Sequence, residues 1–406
     1  MTVRVLQAVE IWLPQTQSWI YNQLRELPAD IACDVVCETT VNLDQFPFPS
    51  IHALDQGPMV PSVVDRGLRF LGVRRHLGFL RRQVRRLCPD VLHSHFGHVG
   101  WMNLGALAGM AVPHVVTFYG FDLSLLPVSD PRWRKRYRQL FQGADLFLCE
   151  GPHMAEQLAS LGCPKAKIAV HRIGVDLERI PFQPRRWSPS EPLRVLIAAS
   201  FREKKGIPYA IEALARLRNS VPLAVTVIGD AKPQNGENAE KVRILERIEA
   251  TGLSPVTRLL GYQPYDVLME EARSHHLFLS PSVTASDGDT EGGAPVALLD
   301  MAASGMPIVS TRHCDIPQVV LDGVNAVLVQ ERDVDGLVQA MRTLLNAHEQ
   351  WPGRLAEGRR HVEHLFDVRV QARTLADRYA ALAAAPASRT SGKQAGNVHE
   401  RGSGTD

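Results

Sequence analysis

Nowhere in the 406-residue sequence do apolar residues run uninterrupted for the roughly 18 positions that a membrane-spanning helix needs, so no span is expected. Cysteine is scarce. The six present form no Cys-x-x-Cys pair, which excludes a zinc knuckle and a disulfide framework and fits reduced thiols in the cytoplasm. Excess charge is also lacking: 45 Lys and Arg against 43 Asp and Glu leave +2, too little to imply a nucleic-acid partner. Glycine (30) and proline (27) are too few for collagen or a low-complexity chain. The opening MTVRVLQAVEIW has polar interruptions where a signal peptide would have an apolar core. No G-x-G-x-x-G follows a strand pattern, which argues against a dinucleotide-dependent dehydrogenase.

What is present is a soluble, globular balance of 45% hydrophobic and 22% charged residues, long enough for two domains or one large α/β unit. Short apolar runs alternate with amphipathic stretches: VRVLQAV, CDVVCE, VLHSH, HVVTFYG, DLFLC and KIAVHRIGVD, separated by helical patterns. Fully apolar strands between helices predict a parallel sheet covered on both faces. Residues 179–192, RIPFQPRRWSPSEP, break the pattern with four prolines and read as a linker. A second series follows in LRVLIAAS, LAVTVIGD, VTRLLGY, LFLSPS, PIVST and AVLVQ. The expected architecture is α/β: two doubly wound, Rossmann-like parallel sheets facing a cleft. The first domain covers 1–178, joined by a returning helix at 368–385, and the second covers 193–367. Residues 386–406 lack apolar periodicity and are expected to be disordered.

In doubly wound folds ligands bind in loops just after strands. The most informative such loop is PSVTASDGDTEGGAPVALLD, residues 281–300. It runs into a helix with Pro295 expected in its first turn, so the amides of Gly293, Ala294 and Val296 face an anion site, with Gly292 and Gly293 allowing a diphosphate to approach closely. Asp287, Asp289, Glu291 and Gly292 imitate a calcium loop, but position twelve would be Leu298 and position nine Pro295, so that pattern fails. In ASFREKKG, Arg202, Lys204 and Lys205 follow a strand and precede a helix, where cations oppose the helix dipole unless an anion joins them.

Seven motifs in order, PDVLHSHFG, VVTFYGFD, KIAVHRIGVDLERI, EKKG, VIGD, LFLSPS and EGGAPVALLDMAASGMPIVST, resemble glycosyltransferase family 4, retaining metal-independent enzymes of the GT-B fold. The resemblance covers nearly the whole chain and is closest to colanic-acid and exopolysaccharide enzymes. It implies a hexosyltransferase-type activity using a nucleotide-sugar as substrate, with no cofactor and no metal. The acceptor is expected to be a glycan or a polyprenyl-diphosphate-linked sugar.

The resemblance also implies roles. Glu291 contacts the transferred sugar, Asp300 the ribose, and Lys205 the diphosphate; eight residues separate the two acids where the family has seven. Ser200 stands where the family has arginine, with Arg202 as the compensating cation. Tyr119 replaces the family's histidine beside the sugar and is expected to donate a hydrogen bond. Tyr262 is a base-side candidate, and His95, Gly97, Gly120 and Asp122 line the acceptor side. A non-catalytic nucleotide-sugar-binding partner of a polysaccharide assembly complex, or a GT-B epimerase, would carry the same residues.

Residues 66–87 place Phe70, Val73, Leu77, Leu80, Val84 and Leu87 on one helical stripe, with eight arginines on the other faces. The stripe is expected to pack on the first sheet. The arginines of 66–86, with the basic run 132–138, could instead meet anionic lipid, giving a cytoplasmic protein peripheral at the inner face of the plasma membrane.

Overall fold

The computed structural model describes residues 2–14, 17–232 and 238–385; the expected disordered tail lies outside the described residues. The first sheet comprises β1 (Val3–Ala8), β2 (Ile31–Cys37), β3 (Ile51–Ala53), β4 (Val91–His95), β5 (His114–Thr117), β6 (Leu146–Cys149) and β7 (Ile168–Val170), in the order β3-β2-β1-β4-β5-β6-β7. The second comprises β8 (Leu193–Ala198), β9 (Leu223–Ile228), β10 (Thr257–Leu259), β11 (Leu277–Ser280), β12 (Ile308–Thr311) and β13 (Ala326–Val329), in the order β10-β9-β8-β11-β12-β13. All neighbours run parallel. Each order reverses beside the sheet's first strand, and a crevice opens at the strand C-termini there. The doubly wound expectation holds for both sheets.

The helices that position the site are α1 (Ser18–Arg25), α2 (Met59–Phe70), α3 (Gly78–Leu87), α4 (Gly97–Asn103), α5 (Arg132–Gly143), α6 (Pro152–Ser160), α7 (Ile207–Leu217), α8 (Tyr265–Ser274), α9 (Val296–Ser304), α10 (Trp351–Phe366) and α11 (Val368–Ala384). Seven consecutive residues of α9, Leu298 to Ser304, are buried, so this helix is enclosed on all sides, α10 among its neighbours. Gly305 ends it at φ 82°, where a Cβ would press on Phe182 and Pro184. The proline-rich stretch 179–192 is fastened to the second sheet unit. Arg185 is buried there and donates to the carbonyls of Ala272, His275 and Ser304, at the ends of α8 and α9. The final helix, α11, returns to the first sheet, where the Tyr379 hydroxyl meets Gln7 Nε2 at 3.1 Å and His93 Nδ1 at 2.6 Å.

Residues 66–87 are not one helix. Gly72, at φ 71°, stops α2, and α3 restarts at Gly78. Leu77, Leu80 and Val84 pack inward as expected, but Phe70 and Val73 do not. Among the described residues no helix is long and apolar enough to cross a membrane.

Candidate active site

The second sheet's face of the cleft is built from ion pairs. After β8 the chain makes a short 3-10 turn, Glu203–Lys205, followed by Gly206 at φ 63°, where any Cβ would strike the Pro281 carbonyl. That turn aims Lys205 Nζ at Glu291 Oε2, 2.7 Å away, while Ser282 Oγ donates to the other carboxylate oxygen at 2.7 Å. Burial alone would raise the Glu291 pKa. The charges of Lys205 and Lys204, with the hydrogen bonds from Lys205 and Ser282, outweigh it and hold the carboxyl at about 2. Its main-chain N–H donates to His313 Nε2 at 3.1 Å, and His313 Nδ1 in turn meets Glu331 at 2.7 Å. Glu291 does not cap α9, whose N-cap position is Pro295 with no side-chain cap.

Arg202 and Lys204 converge instead on Asp289, at 2.6 and 3.2 Å, and Lys204 also donates to the Thr290 carbonyl at 2.7 Å. The acid that made the loop look like a calcium site is thus neutralised by two cations. Asp300 is buried on α9 and accepts from the Tyr265 hydroxyl at 3.2 Å; burial raises its pKa to about 7. Tyr262 is largely exposed at the rim, and Ser200 is half-buried just past the end of β8.

On the first sheet's face Tyr119 stands in a chain of uncharged groups. Tyr119 lies in the loop after β5, its hydroxyl 2.7 Å from His95 Nδ1, and His95 Nε2 lies 3.0 Å from the Gln7 side-chain carbonyl. A carbonyl oxygen only accepts, so Nε2 carries the proton, Nδ1 is the acceptor, and Tyr119 donates inward to His95. The Tyr119 hydroxyl proton is thus engaged within the protein, and its ring packs against Trp19 and Phe96. Burial drives the His95 pKa down to about 3 and His93 well below its usual value, so both rings are uncharged. His95 is fully buried with both nitrogens engaged, and it supports Tyr119 rather than touching an acceptor. Asp122 is likewise buried. Its carboxylate accepts from the amides of Gly97 (2.7 Å), Tyr119 and Gly120 (both 3.1 Å), tying the loops after β4 and β5 together. Gly97 is small because a Cβ would enter the Phe118 ring.

Where the faces meet, each sheet unit supplies a carboxylate to the other's helix start. Glu150, directly after β6, accepts from the Ala294 amide, and a Cβ on Gly293 would lie 2.0 Å from its Oε2. Asp315, in the loop after β12, accepts from the amides of His153 and Met154 at 2.9 and 3.4 Å, at the start of α6. Burial, then the charge of Asp315, pushes the Glu150 pKa well above the usual carboxylate range. Gly120 and Gly292 cross backbone to backbone: a Cβ on Gly292 would lie 2.2 Å from the Gly120 Cα. The Gly292–Gly293 pair, expected to make room for phosphate, thus makes room here for Gly120 and for a carboxylate on the helix-start amides.

Glu150, Asp315, Tyr265 and His313 were not singled out by the sequence. Glu150 was within reach of the strand-end rule, since LCEGPHM is a strand, an acid and a Gly-Pro helix start. Asp315 was not, because the amides it caps are 161 and 162 residues away.

Comparison with known proteins matches this arrangement. The family model described as Glycosyltransferase Family 4 covers residues 16–179, and that described as Glycosyl transferases group 1 covers 192–347. A protein of Escherichia coli K12 assigned to colanic acid biosynthesis as glycosyltransferase WcaL is 35% identical over 301 residues, 72% of this chain and 71% of the relative. The amylovoran biosynthesis glycosyltransferase AmsK of Erwinia amylovora is 30% identical over 294 residues, 71% and 69% of the two chains. Among solved structures, Anabaena HepE with UDP aligns at TM-score 0.72 and 15% identity over 94% of this chain and all of its own (100%). Sucrose-phosphate synthase of Thermosynechococcus elongatus aligns at 0.73 and 16%, covering 94% and 99%. These two share the fold, GT-B. By its family models and its two-sheet architecture the chain belongs to the family 4 glycosyltransferases, and it is a transferase enzyme.

Proposed function

We propose that the chain transfers a sugar, with retention, from a nucleotide-sugar to a glycan or polyprenyl-diphosphate-linked acceptor, in bacterial exopolysaccharide or cell-surface glycan synthesis on the cytoplasmic side. The observation that carries this reading is the Lys205–Glu291 pair, 2.7 Å apart on a cation-rich strand-end face opposite the neutral hydroxyl of Tyr119. The names of WcaL and AmsK support the exopolysaccharide setting, and the HepE structures with UDP and UDP-glucose support the donor class.

In this reading Lys205 neutralises the departing diphosphate. Glu291, held ionised, accepts hydrogen bonds from sugar hydroxyls that tighten as positive charge grows at the anomeric carbon. Asp300, Tyr265 and Tyr262 face the ribose and base. Tyr119 accepts from a hydroxyl of the sugar. Glu291 is engaged by Lys205 and Ser282 and serves as a hydrogen-bond acceptor in this reading, and the leaving phosphate takes the acceptor proton on the face it departs from. No divalent metal is required, because the cations that neutralise the diphosphate are side chains. The test is release of nucleoside diphosphate from a nucleotide-sugar panel in excess chelator, with the product's anomeric configuration read by NMR. Activity abolished by chelator and restored by a metal would contradict the mechanism, and donor binding without turnover on any acceptor would favour a non-catalytic role.

A further inference from the structure

Helix α2 is turned inside out. Its sequence, MVPSVVDRGLRF, places Met59, Val60, Val63 and Val64 on one stripe and Ser62, Asp65 and Arg69 on another. In a helix of a soluble domain the apolar stripe faces the core. Here Ser62 and Asp65 are 8% and 2% exposed, while Met59 is 80% and Val63 63% exposed. The apolar surface continues past the helix, with Phe70 at 91% and Leu71 and Val73 also exposed.

This orientation is fixed by polar bonds. The Asp65 carboxylate accepts from the amides of Gly78 and Phe79, at 3.1 and 2.7 Å, where α3 begins. It also holds Arg74 and, at 3.0 Å, Arg82. Ser62 Oγ donates to the Leu54 carbonyl at 2.9 Å, and both guanidinium ends of Arg69 grip Glu38. Rolling the apolar stripe inward would carry Asp65 away from the Gly78 and Phe79 amides and leave them without their acceptor, so the exposure of the stripe is a built feature of the fold. Seven large apolar side chains exposed within fifteen residues exceed the scattered singles of an ordinary surface.

The surroundings decide what covers this patch. Asp65, already spent, is the lone acid between residues 56 and 89, against eight arginines. Arg75 on the α2–α3 turn donates to Gln139 of α5 at 3.2 Å and stacks over Trp101, which joins the basic segment 132–138 to the same face. Several of these arginines are not available to lipid: Arg81 donates to the carbonyls of Gly105, Ala106 and Ala108, and Arg86 bonds the ring of His52. Arg66 and Arg85 are exposed and make no such bond among the described residues. A second copy of this chain would set one arginine rim against another.

We propose that α2 and the turn after it, residues 59–73, form an interfacial docking surface that inserts its apolar stripe into the headgroup boundary of an anionic bilayer. Arg66, Arg85 and the exposed cations of α5 contact lipid phosphates around it. This deepens the lipid-linked acceptor reading without depending on it, since vesicle binding is measured with neither donor nor acceptor present.

The experiment is flotation of the full chain with phosphatidylcholine vesicles containing or lacking about 30% phosphatidylglycerol, at low and high salt. Wild type is expected to float with anionic vesicles, and the combined Val63→Ser, Val64→Ser, Phe70→Ser and Leu71→Ser variant to lose at least about tenfold in partitioning, since each buried methylene contributes. Its melting temperature should not fall, because these side chains touch solvent; a fall would mean they pack, and would overturn the proposal. Arg66→Gln with Arg85→Gln should weaken binding several-fold and only at low salt. No flotation of wild type, or equal flotation of the Ser variant, would reject the surface. So would a dimer by light scattering that the same Ser substitutions dissolve, since it would identify a second copy as the occupant.

Discussion

The two faces of the cleft are made from the same element, a parallel strand and the loop after it, but their electrostatics are opposite. On the second sheet, Lys205, Lys204 and Arg202 are interleaved with Glu291 and Asp289, and the two lysines hold the Glu291 pKa low. On the first, Tyr119, His95, Gln7, Tyr379 and His93 form a chain of uncharged groups in which burial keeps the histidines neutral. A site that must receive a diphosphate needs replaceable charge, because an anion can take over the partners of a carboxylate. A site that must orient hydroxyls needs fixed dipoles and no competing charge. The proposed donor and acceptor sides require such a division.

Substitutions can break this contrast. The largest effect is expected at Glu291, where Gln keeps the size and removes the charge: turnover should fall on the order of 10²–10³, as when one electrostatic stabiliser is lost. Turnover near wild type would remove Glu291 from the chemistry.

Glu150 blurs the contrast, since it brings a carboxyl from the first sheet onto the helix-start amides of the second. Burial, with the charges of Asp315, Asp122 and Glu291 nearby, pushes its pKa well above the usual carboxylate range. As pH rises through that raised pKa it gains charge beside the proposed diphosphate position, and the Michaelis constant for donor should climb. In Glu150→Gln that rise should be absent. Parallel profiles in both proteins would show that Glu150 has no bearing on the anion.

Asp300→Asn should raise the donor Michaelis constant about tenfold with turnover within about tenfold, a uniform binding loss of roughly 1–2 kcal/mol. It also carries a pH signature. The folded-state pKa of about 7 lies above the ordinary 3.8, so folded Asp300 keeps a proton that the unfolded chain has released. Its contribution to stability is full below pH 4 and is lost as pH rises through 7. The melting temperature of Asp300→Asn relative to wild type should therefore increase from pH 4 to 7 and level off above; a constant difference would contradict the buried, protonated state.

The smallest effect is expected from Tyr119→Phe, which removes one acceptor to the sugar and one donor to His95: a fall of about tenfold or less in turnover. A loss as large as that of Glu291→Gln would mean that the neutral face carries the chemistry.

Much of this was legible in the order of residues. Buried strands show as unbroken apolar runs, so β8, β9 and β11 read plainly, and strand ends then located Lys205, Glu291 and Tyr119. Periodicity finds a stripe but not which side of it is packed. Phe70 and Val73 belong by spacing to the stripe of Leu77, Leu80 and Val84, yet Gly72 turns the chain between them and Asp65 binds the opposite face of α2. His95 and Asp122 sit in the right loops, but whether a side chain faces the cleft or the loop behind it is settled by tertiary neighbours such as Gln7, 88 residues away from His95. The carboxylates exchanged across the cleft, Glu150 and Asp315, depend on how two separately folded sheets meet.

The most direct test is calorimetric titration with UDP, GDP and ADP of wild type, Lys205→Ala and Tyr119→Phe. The charged face should hold the diphosphate: at least one nucleotide binds wild type, Lys205→Ala loses roughly tenfold or more in affinity, and Tyr119→Phe binds as wild type does. Binding unchanged in Lys205→Ala, or lost in Tyr119→Phe instead, would contradict the assignment of the second sheet as the donor side.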